Sequence, residues 1–150
     1  VTGMWINNEL NGQGTYYYKK GHKYVGGFKN NKFNGQGTFF RKGGNKIVST
    51  YVGEWLDDKE HGQGTYINRH GDKYTGEWQK GKRNGRGTQT WSCGDKYVGE
   101  WKNDWLHGYG DYIYENGLKD VGTFKEMMFQ GYSDKETAKR CYNPFTKSSE

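Results

Sequence analysis

The chain has 150 residues and a mass of 17.4 kDa, the size of one domain, with a formal charge of +6 and a pI near 9.2. Its mean hydropathy of −1.22 and its few Leu, Ile and Val exclude a conventional aliphatic core. The 6 Trp, 13 Tyr and 7 Phe, evenly spaced among 25 Gly, exclude low-complexity disorder. What remains is a thin fold whose units lean on one another through aromatic rings.

The positive balance favours anionic partners without specifying one. No apolar run approaches the roughly 18 residues of a membrane-spanning helix, and no signal-peptide core is present. Cys93 and Cys141 are far apart and lack a Cys-x-x-Cys pattern, so they read as reduced cytosolic thiols. Val1 falls inside a repeat, from which further chain before it is expected.

Taken in order, the glycine before the Glu-Trp position recurs as Gly3, Gly26, Gly53, Gly76, Gly99 and Gly122, at separations of 23, 27, 23, 23 and 23 residues. Such a period marks a repeat architecture. Residues 1–131 therefore form an array of six units, and residues 132–150 a separate tail. The first unit reads Gly3-Met4-Trp5 and Gly12-Gln13-Gly14-Thr15-Tyr16, and the second has Phe28 for Trp. The longer second step predicts an extended loop around Lys42-Gly43-Gly44-Asn45-Lys46. In the last unit Asp120 replaces Tyr and Phe124 replaces Trp.

The third unit, Tyr51-Val52-Gly53-Glu54-Trp55 then Gly62-Gln63-Gly64-Thr65-Tyr66, shows how each should fold. Alternate residues share a strand face. Opposing Trp55 to Gly62, Gly53 to Gly64 and Tyr51 to Tyr66 puts all six on one face, with the Trp ring over a bare glycine and Asp57-Asp58-Lys59-Glu60 as a four-residue loop. Opposing Tyr66 to Tyr74 leaves Arg69-His70-Gly71, with Gly71 supplying a left-handed residue; Gly21, Gly94 and Gly117 occupy the same place. The fold class expected is all-β: an elongated single-layer antiparallel meander of hairpins, curved into a groove. Ser133-Asp134-Lys135-Glu136 reads as a capping box for a short helix over about Asp134 to Tyr142, closing the last strand.

The unit Tyr-x-Gly-Glu-Trp followed by Gly-x-Gly-Thr-Tyr resembles the MORN repeat family over nearly all of residues 1 to 131. The resemblance implies β-hairpins stacked into a twisted, groove-like sheet. It also implies a scaffold for partner proteins in cytoskeletal, ciliary or membrane-associated assemblies, hence a cytoplasmic, cytoskeletal, ciliary or peripheral-membrane location.

The residues themselves argue against catalysis. The Gly-x-Gly pairs lack the third glycine and following helix of a phosphate-binding loop. Glu54, Glu77 and Glu100 recur once per unit on the face opposite the Trp, where they suit bonds to neighbouring strands or pairing with Lys; an active site needs one unique constellation. His22, His61, His70 and His107 are expected in loops and not spaced as metal ligands. No enzyme activity, cofactor or metal is therefore expected.

The aromatic face is the candidate site. Its expected contacts are Trp55, Tyr66, Tyr74, Trp78, Trp91, Tyr97, Trp101, Tyr112 and Tyr114, joined by Trp105 in an Asn103-Asp104-Trp105-Leu106 loop. A single sheet has no second layer of its own, so a helix or extended peptide from a partner protein suits such a groove. The alternative is recruitment to anionic phospholipid through Lys19, Lys20, Lys80, Lys82 and Arg83 on the loop rims. Nucleic acid ranks third because acids interrupt every unit, and pairing of array ends into a homodimer is a further expectation.

Overall fold

The computed structural model describes residues 2–125, 128–129 and 132–133, with side chains through residue 125. The strands are β1 (Thr2–Ile6), β2 (Glu9–Tyr17), β3 (Lys23–Lys29), β4 (Lys32–Gly43), β5 (Lys46–Leu56), β6 (Lys59–Asn68), β7 (Lys73–Gln79), β8 (Lys82–Thr90), β9 (Lys96–Lys102), β10 (Trp105–Ile113), β11 (Lys119–Lys125), β12 (Met128–Phe129) and β13 (Tyr132–Ser133). β1 to β12 pair in sequence order in one antiparallel sheet, and β13 pairs β11. The meander read from the repeats is thus the fold. The helix expected over Asp134 to Tyr142 lies outside the described residues.

One hairpin register differs from expectation. Tyr51 faces Tyr66 and Gly53 faces Gly64, but the pairing then shifts, so that Glu54 faces His61 and Trp55 faces Glu60. The connection shrinks to two residues, Asp57-Asp58, both at positive φ (47° and 69°), the type I′ geometry that matches strand twist. Asn7-Asn8, Asn30-Asn31, Lys80-Gly81 and Asn103-Asp104 repeat it. The residues released from the loop appear as a bulge at Gly62-Gln63. Gly62 turns left-handed (φ 57°), and the Glu54 carboxylate accepts the Gln63 backbone N–H. Glu77 does the same for Arg86, and Glu100 for Tyr109. The glutamate ladder therefore bonds the neighbouring strand.

The bulge decides which ring covers which glycine. Trp55 does not lie over Gly62; a Cβ there would meet the Glu54 carboxylate. The Tyr51 ring instead lies on Gly64 of the hairpin mate, and its hydroxyl donates to the Glu54 carbonyl (2.8 Å). Tyr74 repeats this on Gly87 and Tyr97 on Gly110. Trp55 reaches back to the preceding unit, facing Gly35 and donating its indole N–H to the Gly37 carbonyl (3.0 Å). Trp78 and Trp101 donate likewise to Gly64 and Gly87. The Tyr closes its own hairpin; the Trp joins that hairpin to the one before.

The connections ending in Gly21, Gly71, Gly94 and Gly117 follow the expected pattern, whereas the one between β4 and β5 does not. Gly71 ends its loop at φ 85°, and its N–H donates to the Asn68 carbonyl. Around Gly43 the four extra residues lengthen β4 and β5 instead of the loop, because Gly43 faces Lys46 across the tight turn Gly44-Asn45. His61 and His107 lie in β6 and β10, not in loops, since the tight turns return those residues to the ladder.

Candidate functional site: the aromatic layer

Alternating Tyr and Trp produce a continuous edge-to-face row. From Phe28 it runs through Tyr24, Trp55, Tyr51, Trp78, Tyr74, Trp101 and Tyr97 to Phe124. Centroids are 5.0 to 5.3 Å apart, with planes 80–88° from each other. Each such contact contributes about 0.5–1.5 kcal/mol beyond area burial, so the row serves as the core of a sheet without a second layer. Burial raises the hydroxyl pKa of Tyr24, Tyr51, Tyr74 and Tyr97 above the usual tyrosine value; nearby carboxylates add to the effect, and Arg83 opposes it at Tyr74.

This burial sorts the expected contacts. Tyr74, Tyr97 and Tyr112 are 0% exposed, and Trp55, Trp78, Trp101 and Tyr114 are at most 8% exposed. Their faces are already covered by one another and by glycine backbone. Tyr66 and Trp91 are partly exposed and pack against that core beside Tyr16, Phe39 and Leu118. Trp91 also stacks on Tyr112 at 5.4 Å. The Tyr66 hydroxyl is buried and has no hydrogen-bond partner among the described residues. Trp105 is not in a loop. It opens β10 opposite Lys102, while Leu106 faces Trp101, so strand alternation puts Trp105 on the face away from the aromatic layer.

The basic residues lie on two rims. Lys19 and Lys20 lie between β2 and β3, whereas Lys80 and Lys82 lie at the β7–β8 turn, on the opposite edge of the meander. Arg83 is drawn into the aromatic layer. Its guanidinium stands 4.5 Å from the Trp101 ring centroid, and its Nε lies 3.2 Å from Asp104 Oδ1. Its other nitrogens donate to Gln89 Oε1 and the Asp104 carbonyl, both at 3.1 Å.

Two buried carboxylates were not anticipated. Asp95 (4% exposed) accepts from the Tyr112 hydroxyl and the Glu115 N–H, and Asp120 (1% exposed) accepts from the Tyr114 hydroxyl. The repeated phrase Gly-Asp-Lys-Tyr at Gly71 and Gly94 was the available signal for Asp95. Asp120, taken as a degraded Tyr, is an acceptor suited to its neighbour. Cys93 is expected from the sequence as a reduced thiol; the structure has it disulfide-bonded.

Among the described residues, no cluster of three His, Cys, Asp or Glu is arranged to hold a metal. A shallow depression is lined by Asn84, Arg86, Glu100, Trp101, Lys102 and His107, with Gly85 and Gly108. Its carboxylate is already taken by the Tyr109 amide. The arrangement offers apolar seats along a sheet.

No curated protein matches the sequence. The family model for the MORN repeat matches residues 2–23, 24–46, 51–72, 74–96 and 97–119, and the hairpin, bulge and Tyr-on-Gly contact recur at the same period. The chain belongs to the MORN repeat family.

Proposed function

We propose that this protein is a non-enzymatic scaffold that holds a helix or extended peptide of a partner protein along the exposed margin of its aromatic layer, within a cytoskeletal or ciliary assembly. MORN repeats commonly serve as protein- or membrane-binding scaffolds. The reading rests chiefly on the line of rings at Tyr16, Phe39, Tyr66 and Trp91, packed on a rigid core and only partly buried. Rigid aromatics lose little entropy on binding.

The test is site-specific photocrosslinking. A crosslinker replacing Trp91 should give one dominant protein adduct in native extract, and one replacing exposed Val52 on the other face should not. Equal adducts from both positions would refute the reading. So would retention by anionic liposomes at physiological salt with no protein adduct. Recruitment to anionic membrane remains the second reading, but the opposite-edge placement of Lys19 and Lys80 gives it no single contact surface.

A further inference from the structure

We infer that the sheet face opposite the aromatic layer docks a second partner element: an acidic amphipathic helix lying across the strands. The register sets residues from six successive strands side by side: Ile67, Lys73, Thr90, Lys96, Ile113 and Lys119. Alternation places this row on the face away from Tyr74 and Tyr97; Lys73 and Lys96 are exposed on it, and Lys119 already has a partner. Beside it, Thr75, Thr88 and Val98 form a low β-branched floor, which Asp111 interrupts next to Ile113. Farther along these strands the Glu77 and Glu100 carboxylates bond backbone amides, and the row itself contains no acid, its charged members being lysines.

Spacing identifies the occupant. Adjacent strands lie about 4.8 Å apart, so the lysines recur every 9.6 Å or so, with an uncharged residue midway. A helix rising about 1.5 Å per residue offers side chains at i, i+3 and i+7, at roughly 0, 4.5 and 10.5 Å. Carboxylates every seventh residue meet the lysines, and apolar residues between them meet Thr90 and Ile113. An extended strand repeats on one face every 6.6 Å or so and matches neither interval. A flat bilayer fits less well, because strand twist of about 20–25° per step turns lysines four strands apart through a large angle, whereas a helix can wind along the row.

The probe is a labelled synthetic peptide of about 15 residues, with Glu every seventh residue, Leu midway and Ala or Gln elsewhere. Fluorescence anisotropy against the purified chain should show saturable binding. Lys73→Glu with Lys96→Glu should weaken it at least about tenfold, and Trp91→Ala on the other face should leave it unchanged. Failure of the Trp91 photocrosslink would leave this expectation intact, since the two faces are read separately. A scrambled peptide of equal charge binding equally well would overturn the inference. So would an unchanged affinity in the double-lysine variant, or capture by phosphatidylserine vesicles without peptide binding. Unaltered melting of the variant, expected for exposed lysines, confirms that the fold is retained.

Discussion

Replacing Gly64 by alanine tests the contact on which each unit depends. Gly64 has no positive φ among its constraints, so the effect isolates the covering ring. A Cβ at Gly64 would sit 2.6 Å from Tyr51 Cε2 and closer still to Cζ and the hydroxyl. The ring must lift. That introduces overpacking of about 1–3 kcal/mol, gives up the bond from Tyr51 to the Glu54 carbonyl at about 1 kcal/mol, and loosens edge-to-face contacts with Trp55 and Trp78. The expected loss is about 3–5 kcal/mol, a melting shift of roughly 10 °C for a chain this size. Thermal melting followed by Trp fluorescence measures it. Gly62→Ala is the comparison. It incurs left-handed strain of about 1–2 kcal/mol and displaces only the mobile end of Glu54. If Gly62→Ala proves the more damaging of the two, the Trp-over-Gly62 register is restored and the Tyr-on-glycine account fails.

Removing the unpaired hydroxyl with Tyr66→Phe should leave stability unchanged or raise it by up to about 1 kcal/mol, whereas Tyr112→Phe, which strips a partner from buried Asp95, should lower it by about 1–2 kcal/mol; urea unfolding of the pair distinguishes them. Asp58 Oδ1 accepts the Phe33 N–H at 2.8 Å and so joins adjacent units at the turn edge. Asp58→Gly should therefore cost about 1 kcal/mol despite relieving a positive φ, and a stabilised variant would contradict the role. Because burial raises the folded-state pKa of Tyr24, Tyr51, Tyr74 and Tyr97, their contribution is complete below the unfolded tyrosine value of about 10 and declines as pH rises above it. Alkaline melting curves should show that decline, and stability unchanged well above pH 10 would argue against buried hydroxyls.

The repeat period alone determined that the chain is a meander, where each unit begins, and which residues share the Tyr and Trp face. Strand alternation and glycine spacing are local properties, written along the chain. The same pattern placed Gly71, Gly94 and Gly117 correctly in their turns. It could not place the bulge at Gly62-Gln63, because both candidate registers keep Tyr51 opposite Tyr66. The choice between them depends on Glu54 reaching an amide on the next strand and on an I′ turn whose Asp58 holds the preceding unit. The first contact closes within one hairpin across the bulge, and the second joins separate units and exists only once hairpins stack. Stacking also decided that most of the rings proposed as contacts, Tyr74 and Trp101 among them, are core. Each is covered on one side by a ring of its own unit and on the other by a ring of an adjacent unit, whereas Tyr66 and Trp91 are only partly buried.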